Sequence, residues 1–278
     1  MLKYSMDPEG TFNSPLSQGR IDKEYENLEV RLLHYPKHED FVKTALFGEF
    51  AHAGGMIDPI KEFDNLSEEE LFAKAGDYMQ GGLEQYLESD TVTFLVYGCT
   101  RGFTHEFVRT RKGAWFLQQT MRHSNMGNAN LRMPSGISNS SYDVQYEWSR
   151  VAQNAVGAYV NLVEEHDIAY QDARTVLPLA TETWIIGGMP LRTFIETYNY
   201  RACYMFYPEM RWIFQRMGAL LAEACPWVAN KIKISCEVPD AGGHHKCFYR
   251  GTEIVSDVCP LPWATEENRI WKSKRFDK

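Results

Sequence analysis

An α/β fold is what this sequence predicts, and two observations carry the prediction. The run Thr91-Val92-Thr93-Phe94-Leu95-Val96-Tyr97 is β-branched and aromatic, the composition of a strand, and Gly98 follows as its expected end. Directly after it, Arg101 to Arg109 reads as a helix with Arg101, His105 and Arg109 along one face. A ligand site is expected where a strand hands over to a helix in this way.

The other elements follow in order. Residues 1–27 are polar, carry Pro8, Gly10, Pro15 and Gly19, and are expected to form a loose arm or a tail that embraces another subunit. Leu28 to Leu33 reads as a short strand stopped at Pro36, with helix following through Phe50 until Ala53-Gly54-Gly55 breaks it. Ser67-Glu68-Glu69-Glu70 is a capping box, and it opens a helix that Gly81-Gly82 interrupts. From Asn125 to Ser141 the chain is rich in Asn, Ser, Gly and Pro, so a loop or flap is expected. Val144 to His166 is a helix, with Val151, Ala155, Ala158, Leu162 and Val163 as its apolar stripe. Pro190 and Pro208 each start a further helix, and Pro226 ends the second. No domain boundary is evident before about residue 230, so 28–229 is one domain and 230–278 a loop-rich extension.

Composition excludes several classes. The chain of 278 residues can bury a full core, and its net charge of -8 argues against nucleic acid as the main partner. No apolar run reaches membrane-spanning length. Six cysteines in a chain this long make no disulfide framework, which points to a reducing cytoplasm. Cys236, His244, Cys247 and Cys259 are weak metal candidates, because their spacing matches no strong zinc pattern.

One stretch concentrates charge within this acidic chain: Arg109-Thr110-Arg111-Lys112, then Gln118-Gln119-Thr120-Met121-Arg122. Guanidinium forks bind phosphate or carboxylate oxygens, while Gln and Thr suit a sugar or base. The competing reading is a solvated basic face, but Ala114, Trp115, Phe116 and Leu117 lie inside the cluster.

The cluster resembles the signature of the flavin-dependent thymidylate synthases, R-H-R followed by E/Q-x-S-x-R, with one extra residue between the two parts. Ala173-Arg174-Thr175-Val176-Leu177-Pro178, Leu191-Arg192-Thr193-Phe194, Tyr198-Asn199-Tyr200-Arg201 and Cys225-Pro226-Trp227 resemble further blocks of that family, in the same order. The resemblance implies a central, mostly antiparallel sheet flanked by helices, bound FAD, and a homotetramer with active sites shared between subunits. It implies methylation of dUMP, a pyrimidine deoxynucleotide monophosphate, with methylenetetrahydrofolate as carbon donor and NADPH as reductant. Carried over residue by residue, Arg109, Thr110, Arg111, Lys112, Gln118, Arg192 and Glu196 face FAD. Glu106, Arg109, Gln118, Gln119, Thr120, Arg122, Arg174 and Arg201 face the nucleotide, with Arg174 supplied by a neighbouring subunit. Arg201 is the catalytic charge at the pyrimidine. A viral member would work in its host's cytoplasm.

This chain departs from the pattern at Thr110 (histidine expected), Glu106 (glutamine), and Pro190 and Glu196 (asparagines), and it has no counterpart of the upstream histidine motif near Gln80–Ser89. A carboxylate at 106 can pair with Arg109 or accept from an exocyclic amine. Two alternatives therefore stand beside methylation: hydroxymethylation of dUMP or dCMP for a modified viral genome, and a non-catalytic nucleotide-binding homologue.

Overall fold

The computed structural model describes residues 21–22, 25–52, 54–81, 84–237 and 259. Its strands are β1 (Ile21–Asp22), β2 (Glu29–His34), β3 (Thr91–Thr100), β4 (Trp115–Gln118), β5 (Leu131–Arg132) and β6 (Glu182–Pro190). Its α-helices are α1 (His38–Phe50), α2 (Pro59–Asp64), α3 (Glu68–Gly81), α4 (Arg101–Phe107), α5 (Ser135–Ser138), α6 (Tyr142–Glu164), α7 (Tyr170–Ala173), α8 (Leu191–Arg201) and α9 (Pro208–Ala224). The fold is α/β: an antiparallel sheet in the order β2-β3-β6-β4, flanked by helices. A second, two-stranded sheet pairs β1 parallel to β5, with Ile21 opposite Leu131.

Contacts divide the chain into two compact units. The first holds the described residues within Met1–Val30, Leu95–Thr110 and Phe116–Ile186; the second holds those within Arg31–Phe94, Arg111–Trp115 and Gly187–Lys278.

In the first unit α6 is the main support. Its buried face is Ala152, Val156, Tyr159 and Val160, packed with Met126, Leu131 and Met133. The expected stripe is met in part: Leu162 and Val163 pack against this cluster, whereas Val151 is 54% exposed and Ala158 is exposed as well. Small and polar residues on the true face (Ser149, Gln153 and Gly157 are buried) hide its helical period from a hydrophobicity reading. The stretch expected as a flap is anchored. Met126, Leu131 and Met133 are buried, and the buried Met126 N–H donates to the Tyr159 hydroxyl at 3.0 Å. Part of the expected N-terminal arm is ordered too: β1 lies in it, and the Tyr25 ring covers the Arg132 guanidinium at 5.2 Å. Arg132 and Glu182 are 3% and 7% exposed and form an ion pair at 2.8 Å. Arg132 also donates to the Gly98 carbonyl at 2.7 Å.

Gly98 does not end β3, which continues to Thr100. Its φ of 74° lies in the left-handed region, and a Cβ there would collide with the Asn27 carbonyl.

In the second unit α1 packs on α3 and on the 3-10 helix Glu84–Glu88, and α8 packs on α9. Phe41 meets Trp227 at 4.2 Å and Tyr86 at 5.1 Å between ring centres, tying the start of the unit to its end. The capping box forms as expected: Glu70 accepts from Ser67 N at 2.9 Å, and Ser67 Oγ accepts from Glu70 N at 3.3 Å. Pro59 opens α2, capped by Asp58. Pro190 is the last residue of β6 rather than the first of α8. At the start of the extension one 3-10 turn ends at Lys231 and another spans Ser235–Glu237, with Ile234 and Cys236 buried, so the extension begins inside this unit.

Candidate functional site

The site residues fall into two groups, one in each unit. In the first, Thr100 caps α4 by accepting from Phe103 N at 3.1 Å, which places Arg101 at the helix start. Arg101 is half-buried and donates to the Gln119 carbonyl at 3.4 Å. Burial, and then the charge of Arg174, hold its guanidinium below the usual arginine range. Arg122 Nε donates to Gln171 Oε1 at 3.2 Å, and Arg174 Nε to the Gln171 carbonyl at 3.1 Å. Gln171 thus brings Arg122 and Arg174 together within one chain. Among the described residues no carboxylate pairs with Arg101, Arg122 or Arg174.

The amide and hydroxyl residues around these arginines are held by one another. Gln118 donates to Thr104 at 2.7 Å, Thr183 donates to Gln119 Oε1 at 3.3 Å, and Thr120 Oγ1 accepts from Arg122 N at 3.1 Å. α4 stops at Phe107, so Arg109 lies in the following turn and does not extend the row of Arg101 and His105. Its N–H donates to the Glu106 carbonyl at 3.1 Å, a tightened last turn that ends the helix early. The Arg109 side chain is exposed without an ion-pair partner among the described residues, whereas Thr110 is buried.

The second group is built on a turn and on α8. Gly113 has φ 67°, and a Cβ there would meet Pro190 Cγ at 2.9 Å, so glycine is required. Thr193 Oγ1 donates to the Lys112 carbonyl at 2.7 Å and fastens the turn to α8. From that turn Lys112 reaches Glu196 Oε2 at 2.6 Å. Arg192 Nε reaches Glu196 Oε1 at 3.1 Å, and Arg192 Nη1 reaches Glu88 at 2.7 Å. Hydrogen bonds from Lys112 and then Arg192 hold the Glu196 carboxyl below the usual range, while burial opposes them. Arg111 is exposed and unpaired among the described residues. Arg201 closes α8, with its guanidinium over Phe206 at 5.0 Å and Tyr200 at 5.5 Å.

Metal binding finds no support among the described residues, where no three His, Cys, Asp or Glu side chains are grouped to hold an ion. Cys236 is buried and Cys259 half-buried; His244 and Cys247 lie outside the described residues. No described helix is long and apolar enough to cross a membrane.

Residues 34–227 match the family model described as thymidylate synthase complementing protein. The chain belongs to this family. The flavin-dependent thymidylate synthase of Geobacter sulfurreducens is 29% identical over 206 residues, covering 74% of this chain and 86% of that protein. The enzyme of the same name from Pyrococcus furiosus is 27% identical over 161 residues, covering 56% of this chain and 65% of that protein. The crystal structure of a UMP/dUMP methylase from Streptomyces cacaoi, bound with 5-Br dUMP, shares the fold at a TM-score of 0.59 and 16% identity, covering 76% of this chain and 95% of that one.

Family membership does not by itself find Arg101, Gln171 or Glu88. Arg101 was visible in the sequence only as one point on a helix face. What marks it is a half-buried cation beside a like charge, which periodicity does not carry. Gln171 and Glu88 are ordinary polar residues until their arginine partners are seen.

Proposed function

We propose that the protein methylates dUMP to dTMP, with bound FAD, methylenetetrahydrofolate as the carbon donor and NADPH as the reductant. The observation that carries this reading is the set Arg101, Arg122 and Arg174, cations without carboxylate partners among the described residues of a chain of net charge -8. Placing like charges together is unfavourable unless an anion joins them, and a nucleotide monophosphate supplies one. Gln118, Gln119 and Thr120 flank these arginines with donors and acceptors for the sugar. Arg109 and Arg111, exposed and unpaired among the described residues, fit the phosphates of FAD; Lys112 and Arg192 fit only as a pair already matched by carboxylates. When bound, the flavin supplies the hydride that completes the methyl group.

Arg201 contributes a fixed positive charge for the pyrimidine. Its stacking on Phe206 and Tyr200 limits its motion, so the charge is oriented before reaction begins. We further propose a homotetramer, in which the exposed Tyr142, Tyr146 and Val151 of α6 find partners.

The test is one incubation with FAD, NADPH, methylenetetrahydrofolate and either dUMP or dCMP, read by mass spectrometry. Formation of dTMP supports methylation, a hydroxymethylated product replaces it, and no nucleotide product under any flavin loading removes the reading.

A further inference from the structure

Two cations and two carboxylates alternate at the start of α8. Lys112 is bound to Glu196, Glu196 to Arg192, and Arg192 to Glu88. Each Glu196 oxygen holds a different cation, at 2.6 and 3.1 Å. The four formal charges cancel, so the group presents no net attraction to an anion. All four side chains are at least a third exposed, from 37% for Arg192 to 77% for Lys112. Pairs this wet are weak and easily exchanged.

We propose that Glu196 is an internal counter-ion that competes with the flavin phosphates for Lys112 and Arg192 and so sets the affinity for the cofactor. The proposal rests on the reading that this chain binds FAD. An incoming phosphate gains those two cations only by displacing the Glu196 carboxylate or by tolerating its charge. Displacement exchanges one anion for another, which lowers the affinity gained and reduces its dependence on salt. Glu196 cannot relieve this by taking up a proton near neutral pH, since Lys112 and Arg192 both favour its ionised form. Glu88 acts in the same direction through Arg192 alone, so its influence is smaller.

The test is titration of apoprotein with FAD, followed by flavin fluorescence, for wild type, Glu196→Gln, Glu196→Asp and Glu88→Gln, at low and high salt. Glu196→Gln is expected to bind FAD roughly twofold to fivefold more tightly at low salt, the range a released surface pair allows. The gain should vanish at high salt, where exposed charges are screened. Glu196→Asp keeps the charge and should return toward wild type, and Glu88→Gln should show a smaller gain. Equal affinity and salt response in wild type and Glu196→Gln would overturn the proposal and leave the FAD reading intact. So would weaker binding by Glu196→Gln, which would make Glu196 a direct ligand. Binding by none of the proteins would overturn both. Circular dichroism and melting of each variant confirm that the fold is unchanged.

Discussion

The two groups of cations treat charge in opposite ways. In the first unit Arg101, Arg122 and Arg174 have backbone and amide oxygens as partners but no carboxylate among the described residues. In the second, Lys112 and Arg192 are matched one for one by Glu196 and Glu88. Neutral oxygens orient a guanidinium without cancelling its charge, so the first group keeps its attraction for an anion. Carboxylates orient and cancel together, so the second keeps little. The number of basic residues in a motif is therefore a poor guide to how much positive charge it leaves uncancelled. The acids that surround them set that remainder.

Within the first unit, Arg132 is the internal reference for a matched arginine. It is buried against Glu182 at 2.8 Å, and neither is exposed enough for water to replace the partner. Glu182→Ala is predicted to destabilise the fold by about 3–5 kcal/mol, the cost of leaving one member of a buried pair. Urea unfolding measures it, and a loss below about 1 kcal/mol, as for a surface pair, would erase the contrast with Arg101.

Arg101→Met tests the unmatched side. Methionine keeps much of the aliphatic stem and removes the charge. Nucleotide affinity is predicted to fall roughly tenfold to a hundredfold, the value of a hydrogen bond to a charged group. Stability should hold or rise, because a desolvated charge beside Arg174 is gone. Calorimetric titration with dUMP and thermal melting separate the two effects. A variant that loses stability while binding dUMP normally would make Arg101 a structural residue.

Much of this architecture was legible in the sequence, and the misreadings have physical causes. β3 announces itself by β-branched residues, and the start of α3 by the Ser67–Glu70 exchange of hydrogen bonds. β6 is absent from the elements read in the sequence, and Gly187 and Gly188 lie within it. Gly188 is there because the Trp115 indole occupies the space a Cβ would need, so the glycine serves packing within a strand. The arginine motif was legible as a concentration of positive charge in an acidic chain. Its division into an unmatched group and a neutralised one was not, because Glu88 and Glu196 are 108 residues apart in sequence (196 less 88) yet share one arginine.

The smallest predicted effect belongs to Lys112→Gln in the neutralised group. Lys112 is 77% exposed and Glu196 39%, so solvent screens the pair, and its loss should cost less than about 1 kcal/mol. The sign with pH follows from Glu196. Its carboxyl is held below the ordinary value, so the stabilisation is present above that value and is lost as pH falls through the depressed one. Wild type should therefore exceed Lys112→Gln slightly at pH 7, and the two should converge in acid once Glu196 is protonated. Urea midpoints at both pH values check this. A difference that persists or grows in acid would mean that Lys112 acts through its stem or through the turn at Gly113, and that its pairing with Glu196 contributes nothing to the fold.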